Sequence, residues 1–311
     1  MAKFAFVFPG QGSQAVGMLN ALAESAAVKK TLLQASEALG YDMAELIQHG
    51  PVEQLNLTTN TQPVMLAASY AVYQAWLEAG GRAPDVVAGH SLGEYTALVV
   101  AGALSFADAL KTVRYRAQVM QDAVPVGVGG MAAILGLSDE DVKTACVEAN
   151  QNTEIVEAVN FNAPAQVVIA GHAGAVNRAC EIAKAKGAKR ALPLPVSAPF
   201  HSSLMKPAAD KLEAYLKEIA FSAPAIPLVN NIDVMVQINP ADIRQALVRQ
   251  AYGPVRWVES VQTIAAMGVA NMVECGPGKV LAGLVKRITT DVAGLAMYDP
   301  STIEQARGIL S

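Results

Sequence analysis

The sequence predicts an α/β fold in which a small subdomain is inserted into a larger one. Three observations support this prediction. Short apolar runs, typical of buried strands, alternate with helical segments along much of the chain. Residues 89–93, Gly-His-Ser-Leu-Gly, join one such strand to a helix, as in the sheet of an α/β-hydrolase-like protein. Residues 131–194 follow the order βαββαβ, which is the order of a ferredoxin-like unit.

The composition narrows the classes of function. The chain has 311 residues, of which 52% are hydrophobic, a net charge of −4 and three cysteines. The acidic net charge gives no support to nucleic-acid binding. The cysteines are odd in number and widely spaced, which fits buried thiols in a reducing compartment rather than disulfides. The histidines lack the spacing of metal ligands, and no apolar run is long enough to cross a bilayer. We therefore expect a soluble, cytoplasmic protein that binds no metal, nucleic acid or membrane.

The first strand is predicted at residues 4–8, a continuous apolar run that ends before a proline. The loop that follows matches the dinucleotide-binding pattern Gly-x-Gly-x-x-Ala at residues 10–15. That pattern also requires a second strand ending in an acidic residue, whereas helices are predicted here at 15–24 and 28–39. The alternative is that the loop donates a backbone amide to an oxyanion hole, for which Gln11 is well placed.

The Gly-x-Ser-x-Gly stretch is typical of a nucleophile elbow. A strand predicted at 85–88 precedes it and a helix predicted at 94–101 follows it, so Ser91 would stand at the positive end of the helix. The flanking glycines suit a turn that leaves no room for a Cβ. Ser91 is therefore the candidate nucleophile, and the amide of Leu92 is free to donate to an oxyanion. The alternative is an ordinary turn between a strand and a helix.

Two helices on either side of the elbow contribute to the predicted core. One is an apolar helix at 63–80, and the other is an amphipathic helix at 105–124. Arg114 and Arg116 lie on opposite shoulders of the apolar stripe of the second helix. The pattern alone does not decide which of the two arginines is buried.

The predicted small subdomain occupies residues 126–197, between the parts of the large subdomain at 1–125 and 198–311. Its first residues, which include Gly127, Gly129 and Gly130, are typical of a linker. Because ligand sites favour the interfaces between domains, we expect a cleft between the subdomains to hold the substrate. The strands of the small subdomain are predicted at 131–135, 154–160, 166–170 and 190–194, and its helices at 139–149 and 173–186.

His201 lies where the chain returns to the large subdomain. It is the candidate base for Ser91, because a serine nucleophile needs one, and the order Ser…His agrees with α/β-hydrolases. No acid between the two stands out as a third member, and Asp233 and Glu274 lie outside the expected order. A backbone or amide carbonyl is the alternative partner that would orient the imidazole. The large subdomain is completed by predicted helices at 203–219, 240–252, 257–267 and 279–288 and by strands at 227–231 and 271–274.

Several motifs, in order along the chain, resemble those of the malonyl-CoA:acyl carrier protein transacylases, the bacterial acyltransferases of fatty acid synthesis. The resemblance covers essentially the whole chain, including the small subdomain, and one of its features is the arginine helix. The other motifs are Phe-Val-Phe-Pro-Gly-Gln-Gly-Ser-Gln at 6–14, Gly-His-Ser-Leu-Gly-Glu-Tyr at 89–95, Asn-Phe-Asn-Ala-Pro-Ala-Gln-Val-Val-Ile-Ala-Gly at 160–171, Phe-His at 200–201 and Glu-Cys-Gly-Pro-Gly at 274–278.

The resemblance implies a role for each matching residue. Ser91 would carry the malonyl group as an ester, and His201 would act as general base and then as general acid. The amides of Gln11 and Leu92 would form the oxyanion hole. Arg116 would hold the free carboxylate of the substrate, which suits a guanidinium because it binds a carboxylate through two parallel hydrogen bonds.

Four further residues are assigned to the site by the same resemblance. Gln250 would lie near His201 and supply its missing partner. Asn160 and Asn162 would line the pocket, although both also fit a turn that enters the next strand. Phe200 would favour malonyl over bulkier, branched acyl groups, because its ring would crowd an α-methyl group.

The resemblance also implies a two-step transfer from malonyl-CoA, a coenzyme A thioester, to the phosphopantetheine thiol of acyl carrier protein. This transfer requires no cofactor. We expect the protein to be a monomer. Acyl carrier proteins are acidic, so their docking surface should be basic. The available basic residues, which also fit ordinary surface charge, are Lys189, Arg190, Lys286 and Arg287. Two other functions remain open from the residues alone: a serine hydrolase, which would share the elbow, and a binding module without chemistry.

Overall fold

The computed structural model describes residues 2–196 and 198–310, which form two β-sheets with helices packed against them. The strands are β1 (Lys3–Phe8), β2 (Val86–Gly89), β3 (Gly129–Leu135), β4 (Val156–Ala163), β5 (Gln166–His172), β6 (Arg190–Pro193), β7 (Leu228–Val229), β8 (Val269–Cys275) and β9 (Ala293–Met297). The α-helices are α1 (Ala26–Leu39), α2 (Met43–His49), α3 (Val52–Leu55), α4 (Thr58–Glu78), α5 (Gly93–Val100), α6 (Phe106–Asp122), α7 (Asp139–Ala149), α8 (Ala173–Ala185), α9 (Lys206–Lys217), α10 (Pro240–Tyr252), α11 (Trp257–Ala266), α12 (Val280–Ile288) and α13 (Pro300–Leu310).

The larger sheet is parallel and has the strand order β7-β2-β1-β8-β9. β1 lies at its centre, where Phe6 is level with Val87 of β2 and Val273 of β8. The carboxyl ends of all the strands therefore meet at one edge of the sheet. Parallel α/β sheets bind their ligands at this edge, so the topology places the turn after β2 where a site is expected.

The side chains of β1 divide the core of the large sheet into two layers. Phe4, Phe6 and Phe8 pack with residues of α1, α4, α5 and α6, whereas Ala5 and Val7 pack with residues of α11 and α12. All five side chains are fully buried. A strand covered on both faces has no polar alternation, which explains why β1 is a continuous apolar run in the sequence.

The smaller sheet is antiparallel, with the strand order β4-β5-β3-β6. Its strands and the helices α7 and α8 follow one another as βαββαβ, so the prediction of a ferredoxin-like unit is confirmed. Ile134 and Ile169 face α7 and α8, whereas Met131 and Val168 join the core of the large sheet. The subdomain boundaries next to residues 126 and 197 stay predictions, and Ser197 lies outside the described residues.

The structure corrects the prediction in the segment after β1 and in the supposed linker. Residues 15–24 form turns and a short 3₁₀ helix, Asn20–Leu22, rather than an α-helix. Gly17 has a positive φ of 78°, a conformation that an α-helix does not contain. Gly129 and Gly130 belong to β3, because they pair with the end of β5.

The structure also adds elements at the end of the chain. β9 and α13 were not predicted, and β9 extends the parallel sheet beside β8. The predicted helix at 203–219 consists of a 3₁₀ turn, Ser203–Met205, followed by α9. Within the described residues, no helix is both long and apolar enough to cross a bilayer.

Candidate active site

The turn between β2 and α5 has the backbone of a nucleophile elbow. Ser91 has a backbone φ of 52°, which lies in a region that residues other than glycine rarely occupy. A Cβ on Gly89 would lie 1.9 Å from the carbonyl carbon of Gly93, and a Cβ on Gly93 would lie 2.1 Å from the carbonyl oxygen of Phe8. Both positions therefore require glycine, because the turn packs directly against its own backbone and against the end of β1.

The side chain of Ser91 meets His201, which is 110 residues away in the chain. Ser91 Oγ lies 2.7 Å from His201 Nε2, and His201 Nδ1 lies 2.8 Å from the backbone carbonyl oxygen of Gln250. A carbonyl can only accept a hydrogen bond, so Nδ1 carries the proton and Nε2 is free to accept the proton of Ser91. The group that orients His201 is thus a main-chain carbonyl rather than a carboxylate.

The surroundings of His201 favour its neutral form. Burial, and after it the nearby positive charge of Arg116, together lower the pKa of His201 to about 3. His201 is 5% exposed, and its backbone is strained as well, with a φ of 65°. A neutral imidazole with a free Nε2 at neutral pH can act as a general base.

Arg116 of α6 reaches the same oxygen from the other side. Its guanidinium Nη2 lies 3.3 Å from Ser91 Oγ and 3.1 Å from the side-chain Oε1 of Gln250, and Nη1 lies 2.9 Å from Oε1 of Gln62. Arg116 is 2% exposed, and among the described residues no carboxylate lies within salt-bridge distance of it. The site therefore contains a buried cation beside the serine.

The neighbouring arginine of α6 has a different environment. Arg114 is exposed, donates to the carbonyl oxygen of Leu39 and lies over the ring of Tyr41. The choice between Arg114 and Arg116, which the helical pattern leaves open, is made by packing: only Arg116 extends into the core beneath the elbow.

The two backbone amides of the predicted oxyanion hole lie on adjoining segments. The amides of Gly93, Glu94 and Tyr95 each donate to the carbonyl three residues earlier, whereas the amide of Leu92 has no acceptor among the described residues. The loop that carries Gln11 packs against the elbow, because a Cβ on Gly10 would lie 2.7 Å from the carbonyl oxygen of His90. The side chain of Gln11 is exposed and points to Thr58.

The comparisons with known proteins agree on one family. A family model described as an acyl transferase domain matches residues 5–299. The malonyl CoA-acyl carrier protein transacylase of Escherichia coli (strain K12) is 56% identical over 307 residues, which cover 98% of this chain and 99% of the relative. This chain belongs to the malonyl CoA-acyl carrier protein transacylase family.

Solved structures of transacylases have the same fold. An acyl-carrier-protein S-malonyltransferase from Burkholderia pseudomallei 1710b is 66% identical and superposes with a TM-score of 0.96, covering 98% of this chain and 99% of that one. A malonyl-transacylase in complex with its type II PKS acyl-carrier protein is 52% identical, with a TM-score of 0.96 and a coverage of 98% and 99%. The two-sheet architecture is therefore that of the transacylase family.

The remaining residues assigned from the transacylase resemblance differ in their proximity to the elbow. Asn162 accepts a hydrogen bond of 2.8 Å from His90 Nε2, so the structure brings β4 to the elbow. The side-chain oxygen of Asn160 is buried without a partner among the described residues. Phe200 is 8% exposed and packs in the core of the large sheet. Of the two asparagine side chains, that of Asn162 is hydrogen-bonded to the elbow, whereas the oxygen of Asn160 is not.

Sequence reasoning missed Asn231, which follows β7. Its Oδ1 accepts from the amide of Ser91 at 2.7 Å, and its Nδ2 donates to the carbonyl oxygen of Gly89 at 2.7 Å. Asn231 therefore holds both sides of the strained turn. The available signal was its position at the carboxyl end of a parallel strand, where site residues of α/β sheets occur.

Sequence reasoning also missed Glu94 and Gln62, although Glu94 lies within a motif shared with the transacylases. Glu94 Oε2 accepts from Gln250 Nε2 and from the backbone amide of Asn231, each at 2.9 Å. Burial raises the pKa of Glu94 to about 7, against the opposing effect of these hydrogen bonds.

The described residues contain no cluster of three or more side chains suited to a metal ion.

Proposed function

We propose that this protein transfers a malonyl group from malonyl-CoA to the phosphopantetheine thiol of an acyl carrier protein through an ester on Ser91. The observation that carries this proposal is the buried guanidinium of Arg116, 3.3 Å from Ser91 Oγ. A cation in this place suits an acyl group that bears its own carboxylate. The names of the relatives, which are malonyl transacylases, support the same substrate.

The first half of the reaction is acylation of Ser91. His201 Nε2 takes the proton of Ser91 Oγ as the oxygen attacks the thioester carbonyl, and the carbonyl of Gln250 supports the imidazolium that forms. The amides of Leu92 and Gln11 donate to the tetrahedral oxyanion; one such donor contributes about 3 kcal/mol in comparable sites. Coenzyme A leaves as the thiol when His201 returns the proton.

The second half of the reaction reverses these roles. The thiol of the phosphopantetheine arm attacks the ester of Ser91, with His201 again taking the proton, and Ser91 is regenerated. The acceptor must reach Ser91 before water does, which fits a side chain held in a part-buried turn between two sheets. An acyl carrier protein as the acceptor is supported by the relative that was solved in complex with one.

Arg116 provides the specificity in this proposal. The hydrogen-bond partners of its guanidinium are neutral groups, namely the side-chain amides of Gln62 and Gln250 and the hydroxyl of Ser91, so an incoming carboxylate gains a direct ionic partner. Phe200 would exclude branched acyl groups, and Asn160 and Asn162 would line the substrate cleft. We also propose that the reaction needs no cofactor, since the serine, histidine and amides account for every step.

We further propose that the enzyme acts as a cytoplasmic monomer with subdomains at 1–125 with 198–311 and at 126–197. The acidic acceptor protein would dock on basic residues near the cleft. Arg287 is one of these, although it already donates to Gln166 and to the carbonyl oxygen of Pro164. The other members of the predicted docking surface are Lys189, Arg190 and Lys286.

The proposal is tested by intact mass measurement after brief incubation with malonyl-CoA. The wild-type protein should gain the mass of one malonyl group, and Ser91→Ala should gain none. An adduct of the same mass on Ser91→Ala would remove Ser91 from the mechanism. Hydrolysis of malonyl-CoA that is equally rapid with and without an acceptor thiol would instead favour a serine hydrolase.

A further inference from the structure

The buried charge of Arg116 is held in an unusual way. Fully buried arginines ordinarily pair with a carboxylate, because an unpaired charge in the interior is strongly unfavourable. Here, besides Ser91 Oγ at 3.3 Å, the guanidinium donates to two amide oxygens, Oε1 of Gln62 and Oε1 of Gln250, at 2.9 and 3.1 Å. The direction of the Gln250 side-chain amide therefore decides whether Arg116 meets an acceptor or a second donor.

That direction is set by what lies on the other side of the amide. Gln250 Nε2 donates to Oε2 of Glu94 at 2.9 Å and to the backbone carbonyl oxygen of Ser91 at 3.1 Å. Both groups are acceptors, so they bind the amide nitrogen and turn the amide oxygen towards Arg116. The same glutamine accepts from His201 Nδ1 through its backbone carbonyl. One residue thus connects the base, the cation and the nucleophile.

Glu94 is rigidly held in the position that this arrangement needs. It is 2% exposed, and its Oε2 also accepts from the backbone amide of Asn231 at 2.9 Å. Asn231 is in turn bonded to Ser91 and Gly89, the two residues that form the elbow. The bond from the amide of Asn231 therefore ties the carboxylate to the backbone beside the elbow, independently of the glutamine.

We propose that Glu94 is a positioning residue that orients the Gln250 amide, and through it the guanidinium of Arg116, for an acyl group bearing a carboxylate. The proposal rests on the malonyl transfer proposed above and names a residue that controls its selectivity. A carboxylate placed directly on Arg116 would neutralise the cation and compete with the substrate. Glu94, one hydrogen bond further away, orients the cation without occupying its binding face.

The test compares malonyl-CoA with acetyl-CoA as donors to the same acceptor thiol in wild type, Glu94→Ala and Glu94→Gln. Glu94→Ala should lower the malonyl-to-acetyl ratio of kcat/KM by roughly tenfold or more, the usual effect of losing a hydrogen bond to a charged group. The change should be carried by a higher KM for malonyl-CoA. Glu94→Gln keeps an acceptor oxygen of the same reach, so it should retain most of the selectivity.

Glu274 provides a matched control. It is also fully buried, burial raises its pKa to about 7 as well, and it accepts from the amide of Ala282 at the start of α12 rather than from the site. Glu274→Ala should lower the melting temperature without changing the malonyl-to-acetyl ratio. A merely structural role of Glu94 would give the same result for both alanine variants.

The outcomes separate this inference from the proposed function. A folded Glu94→Ala with an unchanged malonyl-to-acetyl ratio would overturn the positioning role. If Glu94→Ala does not fold, Glu94→Asp decides, because its shorter side chain withdraws the acceptor from Gln250 while keeping the charge; an unchanged ratio would again overturn the inference. Failure of the wild type to transfer malonyl groups would contradict the proposed function instead.

Discussion

Ser91 Oγ is approached by two cationic or basic side chains that serve different purposes. His201 Nε2, at 2.7 Å, is neutral and oriented by a main-chain carbonyl. Arg116 Nη2, at 3.3 Å, is permanently charged and held by amides. A hydrolase nucleophile needs only the first of these partners. The second gives a reason for the site to prefer a negatively charged acyl group.

Replacement of Arg116 tests this division of roles. In Arg116→Ala, kcat/KM for malonyl-CoA should fall relative to that for acetyl-CoA by roughly a hundredfold, since a buried charge pair contributes about 3 kcal/mol. The measurement is the rate of acyl transfer from each donor. Arg114→Ala is the matched control, because Arg114 lies on the same helix but contacts Leu39 and Tyr41 at the surface. An equal loss with both donors would contradict the carboxylate role of Arg116.

The lowered pKa of His201 predicts an unusual pH profile. Because burial and Arg116 lower the pKa to about 3, His201 stays neutral as the pH falls through its ordinary value of 6.5. The rate at which a fluorophosphonate labels Ser91 should therefore change little between pH 7 and pH 5. This probe carries no carboxylate, so ionisation of a substrate does not interfere. A rate that halves near pH 6.5 would show that the imidazole is not buried as described.

The elbow depends on two glycines, which let α5 begin directly against the ends of β1 and β2. Gly89→Ala should destabilise the protein by about 3 kcal/mol or more, since its Cβ would overlap the backbone of Gly93. Gly283→Ala is the control: it lies in α12, nothing beyond the neighbouring backbone of its own helix lies within 4 Å of the new Cβ, and it should be stabilising by about 0.5–1 kcal/mol. Denaturant unfolding measures both, and equal midpoints for wild type and Gly89→Ala would contradict the required close packing.

Local sequence patterns predicted those elements whose packing restricts the residue types that they can contain. β1 is uniformly apolar because both faces are covered, and the Gly-x-Ser-x-Gly stretch marks the elbow by the steric demand of its turn. β9 escaped prediction because it is a short edge strand of mostly small residues, with the sequence Ala-Gly-Leu-Ala-Met. Residues 15–24 have a composition typical of a helix, but the positive φ of Gly17 interrupts helical geometry there.

The site as a whole could be predicted only in part, because its residues are distant in the sequence. Asn231 and Glu94 are 137 residues apart, and nothing in either local pattern indicates their hydrogen bond. Arg114 and Arg116 are both borderline on the helical wheel, so the pattern of α6 does not distinguish them, whereas the structure buries Arg116 against Gln62 of α4. The backbone carbonyl that orients His201 has no side-chain signature at all, so the missing third partner was not visible from the residues.

The fold places four segments together where the carboxyl ends of the parallel strands meet. They are the turn after β2, the loop after β1, α6 and α10. The antiparallel sheet reaches the same place through Asn162 of β4, which binds His90 beside the nucleophile. In the proposed mechanism, this placement between the two sheets would limit the access of water to the ester on Ser91. Such exclusion is what separates a transferase from a hydrolase that uses the same serine and histidine.

The most direct test of this account follows the malonyl group itself. The protein is incubated with malonyl-CoA, freed of excess donor and mixed either with buffer or with an acyl carrier protein that bears the phosphopantetheine thiol. Peptide mass mapping should locate the malonyl group on Ser91, and addition of the carrier should move it to the thiol much faster than buffer removes it. Loss at the same rate in both mixtures, or an adduct on another residue, would contradict transfer through an ester on Ser91.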